Sequence, residues 1–203
     1  MPSGEDSLIA RYFKPLATDP GAFDLTDDAA ILKSSGDELV VTTDAIVEGV
    51  HFLPDDPPDT VARKALRVNL SDLAAKGAAP AGFVLTLALR APDDAWLAPF
   101  ARGLGEDATE FGCPLLGGDT VSTPGPAMIS ITAFGRVPPG KMVRRNGARA
   151  GDRVVVSGGS LGRKCTPSTM ASVVTTRSSA DDLRIAASSV RSNAPGSVAS
   201  GLK

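Results

Sequence analysis

Every aromatic side chain of this 203-residue sequence lies between Tyr12 and Phe134. Large rings supply much of the buried area of a small core, so that interval must hold the folded unit. Charge divides the chain at nearly the same place. Residues 1–157 carry 15 Lys/Arg against 21 Asp/Glu, a net of −6, whereas residues 158–203 carry 6 against 2, a net of +4. The last 46 residues hold ten serines and no aromatic residue or histidine. The chain therefore reads as two pieces. Residues 1–157 form an α/β unit, and residues 158–203 are a Ser-rich tail expected to lie outside the fold and to be disordered.

Within the first piece, Leu8, Ile9, Tyr12, Phe13 and Leu16 recur at helical spacing, and Asp19-Pro20-Gly21 breaks the run. Ala29–Lys33 and Leu39–Asp44 read as strands around the turn Ser34-Ser35-Gly36-Asp37. Thr60 is placed to cap a helix that reaches Lys76 and stops at Gly77. Phe83–Leu89 reads as a strand, and Pro92-Asp93-Asp94 opens a helix with the stripe Trp96, Leu97, Phe100, Leu104, Ala108 and Phe111. Leu115-Leu116 leads into Gly117-Gly118-Asp119-Thr120, read as a strand entering a tight turn, and Met128–Val137 and Arg153–Ser157 are further strands. This order predicts helices segregated on one side of a sheet. Beyond Ser157 only Leu183–Val190 has the pattern for two helical turns.

The net charge of −2 gives no footprint for nucleic acid or an anionic membrane, and no stretch has the length of a transmembrane helix. The acidic start Met1-Pro2-Ser3-Gly4-Glu5-Asp6 lacks the basic region of a signal peptide, so a cytoplasmic location is expected. Two cysteines, Cys113 and Cys165, make neither a disulfide framework nor a four-ligand zinc site.

The informative acids sit where elements end. Asp27-Asp28 precedes a strand, Asp44 closes Val40-Val41-Thr42-Thr43, and Asp119 lies in the glycine turn. Asp72 falls inside the apolar run Val68–Ala75, where an unpaired buried carboxylate is costly. With the oxygens of Thr42 and Thr43 these residues make an all-oxygen donor set, suited to Mg2+ where phosphates complete the coordination. Taken singly, each Asp also reads as a cap or turn residue. His51, seven residues after Asp44, is either a solvated bystander or a donor to a substrate phosphate. Gly135–Met142 has the spacing of a P-loop, but Met142 replaces the hydroxyl ligand, and Pro138 and Pro139 remove two amide donors. A nucleotide would then be held mainly through bridging Mg2+.

Several motifs carry a resemblance. Gly4-Glu5 with Ile9–Phe13, Asp27-Asp28-Ala29-Ala30, Thr42-Thr43-Asp44 with Glu48–Phe52, Lys64-Ala65-Leu66 with Val68–Ala75, Gly117–Thr120 and Arg145–Ala148 together resemble the thiamine-monophosphate kinase family. The resemblance runs in order over residues 4–157. It implies the aminoimidazole-ribonucleotide-synthetase-like fold, an α/β N-terminal domain with a mixed sheet and helices on one face, forming homodimers. It implies ATP-dependent phosphorylation of thiamine phosphate to thiamine diphosphate, with Asp28, Thr42, Thr43, Asp44, Asp72 and Asp119 as Mg2+ ligands. It further implies His51 at the substrate, Gly118, Asp119 and Arg145 at ATP, and no protein nucleophile. The family's C-terminal domain, with its Asp-x-Ser-Asp-Gly metal motif, has no counterpart here. The break falls inside a strand, which suggests a frameshift near codon 158–160 and leads us to expect little or no activity from this chain. A non-catalytic Mg-nucleotide-binding or dimerisation module, or another synthetase of the superfamily, is the alternative.

Overall fold

The computed structural model describes residues 4–26, 29–34, 36–90, 93–144, 147, 150, 153–156, 173–176 and 183–185. The N-terminal helix is short: α1 spans Gly4–Leu8, followed by a π turn at Ile9–Phe13 and a 3-10 turn at Lys14–Leu16. Pro15 has no N–H for an α-helical ladder, so the helix tightens and ends there. The expected face survives, with Tyr12 and Phe13 buried. Tyr12 Oη donates to Asp94 Oδ1 at 2.6 Å and Arg11 Nη1 to Asp94 Oδ2 at 2.5 Å, tying this segment to a later helix. These donors hold the Asp94 carboxyl below its ordinary range, with Tyr12 the larger influence.

The sheet has the order β1-β4-β2-β3, with β1 Glu38–Val47, β2 Ala79–Leu89, β3 Leu115–Ser122 and β4 Met128–Val137. β4 runs antiparallel to both β1 and β2, and β3 runs parallel to β2, so the sheet is mixed. Strict alternation along β4 sets the two faces. Ile129, Ile131, Ala133 and Val137 are buried, while Met128, Ser130, Thr132, Phe134 and Arg136 are half-buried on the other side. Helix α2, Pro58–Ala75, lies on the face of Ile129 and Ile131, and α3, Asp94–Glu110, packs against α2. Phe83, Leu66, Phe100 and Leu104 meet there with almost no exposure. Burying each contributes about 2–3 kcal/mol relative to solvent.

Four local expectations are corrected. Residues 29–33 are not a strand; Ile31 N–H donates to Gly21 O at 2.8 Å, and among the described residues no strand pairs with this segment. Thr60 is not the cap of α2: the helix starts two residues earlier, and the Thr60 hydroxyl donates to Pro57 O at 2.7 Å inside its first turn. Gly117–Thr120 is not a turn but the middle of β3, held in parallel register on β2. Leu183–Ile185 is a strand, β7, paired with β6, Val173–Thr176, which in turn pairs with β5, Arg153–Val156. Those three strands make a second, antiparallel sheet. The segregation of helices on one face of the main sheet holds as expected.

Candidate functional site

Strand β1 presents alternate residues to opposite faces. Thr42 and Asp44 lie in the rows of Ala133 and Ile131, the helix-covered face, whereas Thr43 lies opposite Thr132 on the open face. Helix α2 brings Asp72 down onto the first pair: Thr42 Oγ1 donates to Asp72 Oδ2 at 3.1 Å. The Asp44 carboxyl is held above its ordinary value, first by partial burial and then by the charge of Asp72, with His51 acting in the opposite direction. Thr42, Asp44, Asp72 and His51 thus form one group at the β1 edge. Thr43 is apart from it. Its hydroxyl donates to Ile131 O at 3.2 Å and accepts from Thr132 Oγ1 at 3.0 Å.

Gly118 and Asp119 stand at the other edge. Asp44, Ile131, Leu85 and Gly118 form one row across the sheet, so three strand spacings of about 4.8 Å each separate the two edges. Gly118 is required where it stands, because a Cβ there would sit 2.0 Å from Leu85 O. Beside it opens a cavity of about 720 Å³, walled by Ile9, Phe13, Leu25, Leu115, Gly118 and Asp119. Thr26 and Ala29 also line it. Asp27, Asp28 and Arg145 themselves lie outside the described residues. Just before them, Phe23, Asp24 and Leu25 adopt φ of 50°, 56° and 58°, a left-handed turn that non-glycine residues enter only at a cost of about 1–2 kcal/mol each.

The expected ligand set is therefore divided among the described residues. The structure brings Thr42, Asp44, Asp72 and His51 together and leaves Asp119 with the cavity. Among the described residues no cluster of three or more His, Cys, Asp or Glu is gathered closely enough to hold a metal ion. The donor chemistry at β1 still fits a hard cation: two carboxylates and a hydroxyl oxygen crowd together, and the repulsion between Asp44 and Asp72 is what a bound divalent ion would relieve.

Sequence reading gave no role to the residues that shape the His51 loop. Lys64 Nζ on α2 donates to the His51 carbonyl, and Arg90 Nη2 pairs with Glu48 while its Nε donates to Gly125 O at 2.7 Å. The available signal was the eight-residue spacing of Lys64 and Asp72, which places both on one side of α2. No helix among the described residues is long and apolar enough to cross a membrane.

Comparison with known proteins finds relatives in sequence and in fold. The thiamine-monophosphate kinase of Caulobacter vibrioides is 52% identical over 160 residues, covering 77% of this chain and 46% of the relative. The crystal structure of thiamine-monophosphate kinase from Stenotrophomonas maltophilia superposes with a TM-score of 0.65 at 39% identity, over 75% of this chain and 47% of that one. AaThiL complexed with AMPPCP and TMP gives a TM-score of 0.57 at 34% identity, over 65% and 42%. The chain thus spans about half the length of the curated relatives it matches. Residues 26–137 match the model of AIR synthase related protein, N-terminal domain, and the chain belongs to that family.

Proposed function

We propose that residues 1–157 are the nucleotide-handling domain of an enzyme that transfers the γ-phosphoryl group of ATP to thiamine phosphate. The observation that carries this reading is the crowding of Asp44 and Asp72 beside Thr42 at the β1 edge, next to a histidine. It is supported by the kinship with thiamine-monophosphate kinases, one of which has been solved with AMPPCP and TMP. Thr42, Asp44 and Asp72, with the backbone of Thr43, would hold Mg2+ at the β1 edge, and Asp28 and Asp119 at the β3 edge. When bound, Mg2+ supplies charge neutralisation between two phosphorylated molecules. Gly118, Asp119 and Arg145 would contact ATP, and His51 the phosphate of the acceptor. An oxygen of the acceptor phosphate forms the new bond to the γ-phosphorus as the bond to the β,γ-bridging oxygen breaks and ADP leaves. The acceptor is already an anionic nucleophile, so this chain's residues need only orient it and exclude water.

A homodimer reconciles the two edges. The open face of the sheet carries Phe134, Met128 and Val84 with the exposed Leu39, Val41 and Val121. A second copy packed there about a two-fold axis along the strands sets its β3 edge opposite β1, at the roughly 10 Å spacing of stacked sheets. Asp119 of one copy, in the open-face row of Thr86 and Ser130, then approaches the Thr43 side of β1 in the other, next to the edge that carries Asp44. A reaction consuming ATP fits a cytoplasmic location.

The test is nucleotide binding and turnover by the 203-residue polypeptide. AMPPCP is expected to bind only with Mg2+, and equal binding in excess EDTA would exclude the metal reading. Because the match covers about half of each relative, we expect little or no ADP release with thiamine phosphate, the behaviour of a binding and dimerisation module. Steady turnover would show that residues 1–203 suffice.

A further inference from the structure

His51 is the one histidine of the sequence, and hydrogen bonds hold the loop around it. The His51 and Val50 N–H groups donate to Val47 O at 2.8 and 3.1 Å, and Gly49 N–H donates to Phe52 O at 2.7 Å. Gly49 takes a φ of 79°, a turn that a side chain would resist. Phe52 is buried, and Leu53 N–H donates to Asp56 Oδ2 at 2.8 Å. Two contacts then reach His51 itself. Val47 N–H donates to its Nδ1 at 3.0 Å, and Lys64 Nζ donates to its carbonyl oxygen.

The first contact decides where the imidazole proton sits. A ring nitrogen that accepts a hydrogen bond cannot also hold a proton, so the neutral ring keeps its proton on Nε2. His51 is exposed, and Nε2–H is the donor left for a ligand. The second contact uses one of the three N–H bonds of Lys64, and among the described residues no carboxylate forms an ion pair with it. A cation on α2 and a fixed donor on the loop therefore meet beside the acidic group of Asp44 and Asp72.

Resting on the phosphotransfer reading, we propose that His51 and Lys64 form a preset clip for the acceptor phosphate. In it His51 donates through Nε2–H alone, and Lys64 both anchors the loop and supplies the positive charge. The arrangement has a chemical use. With Nδ1 occupied, the imidazole is a directional Nε2–H donor that orients one phosphate oxygen. Lys64 attracts the anion from a position fixed by α2, the helix that also carries Asp72.

The experiment uses the full chain labelled with 15N-histidine, in which a single imidazole is observed. It is recorded at a pH well above the ordinary imidazole pKa of about 6.5. We expect one acceptor-type resonance for Nδ1 and one protonated-type resonance for Nε2. Inorganic phosphate should move Nε2 and leave Nδ1 in place. Lys64→Met should give averaged resonances and at least a tenfold loss of thiamine phosphate affinity, about 1.4 kcal/mol. Lys64→Arg should restore both, and circular dichroism should report the parental fold for each. An averaged pair or the opposite tautomer in the parent overturns the clip, as does unchanged affinity in Lys64→Met. A locked tautomer that responds to inorganic phosphate and not to thiamine phosphate supports the clip and fails only the proposed acceptor.

Discussion

Asp107 offers the sharpest test of how the two helices are held. Its side chain has no exposure, and it accepts from Arg63 Nη1 at 2.5 Å, Arg67 Nε at 2.6 Å and Arg67 Nη2 at 2.8 Å. Arg63 also pairs with Glu106, and the Arg67 guanidinium lies 5.7 Å over the Phe111 ring. Asp107 comes from α3 and both arginines from α2, so this cluster joins the helices. Asp107→Asn keeps the shape but removes the charge, leaving two guanidinium groups facing an amide that can accept with one oxygen. Removing one partner of a buried ion pair costs about 3–5 kcal/mol. The Arg63 and Arg67 side chains are 23% and 13% exposed, so water recovers part of the loss and the lower end applies, about 3 kcal/mol. For a domain of this size that lowers Tm by roughly 6–12 °C. Urea denaturation followed by circular dichroism should show the midpoint fall with an unchanged slope. Replacing all three together, Arg63→Met, Arg67→Met and Asp107→Leu, should recover most of the stability, because a complete apolar substitute leaves no orphaned charge. A loss below about 1 kcal/mol for Asp107→Asn would refute the premise that these arginines depend on it.

Three further outcomes follow from the site. Gly118→Ala sets a Cβ against Leu85 O, so β3 must shift on β2; we expect about 1–3 kcal/mol of destabilisation in a urea melt and loss of Mg-AMPPCP binding, and retained binding would show that the strand yields freely. Burial and Asp72 hold the folded Asp44 carboxyl above its unfolded value, so the folded state binds that proton more tightly and stability falls as pH rises from about 4 through the raised folded pKa. Asp44→Asn should flatten that slope and raise Tm of the ligand-free protein at neutral pH by a degree or two, a small gain because the group is partly solvated, and an unaltered pH slope would contradict the cause assigned. Burial pushes the Cys113 thiol up to about 11, so in a Cys165→Ser background it should resist a thiol reagent at pH 8 until urea unfolds the chain, and rapid native labelling would show the pocket to be open.

What the sequence revealed of the fold followed from how strongly each segment's neighbours agree with its local pattern. Met128–Val137 alternates residue by residue because β4 has a strand on each side and helices on one face, so its period records a fixed environment. The α3 stripe was legible for the same reason: Leu97, Phe100, Leu104 and Ala108 repeat at helical spacing and are all buried. Asp93 before it caps as its residue type suggests, accepting Trp96 N–H at 2.8 Å. Residues 29–33 carry strand-forming residues, but pairing is a tertiary fact that no run of five residues contains. Gly117–Thr120 deceived in the opposite direction. Two glycines beside an Asp suggest a turn, whereas Gly118 is there because Leu85 O approaches too closely for any side chain.

The site was legible where chemistry is local and hidden where it depends on geometry across the sheet. Asp72 stood out as a carboxylate in an apolar helix, and its partner Thr42 lies thirty residues away on the same face. Thr43, adjacent in sequence, is turned to the opposite face by the two-residue period of β1. A run of consecutive ligand candidates in a strand can offer only alternate side chains to one ion, and its intervening residues contribute by backbone oxygen or not at all. The separation of Asp119 from Asp44 carries the larger consequence. They lie near one row of the sheet but on opposite edges and opposite faces, so strand order and the pleat together set their distance. An acidic set written in sequence order across an open sheet converges when the sheet closes on a partner or when a further domain spans its edges. Mixing Asp44→Asn and Asp119→Asn chains distinguishes these physically: nucleotide binding recovered in the mixed sample requires one edge from each copy, and a mixture as weak as either variant alone requires both acids in the same chain.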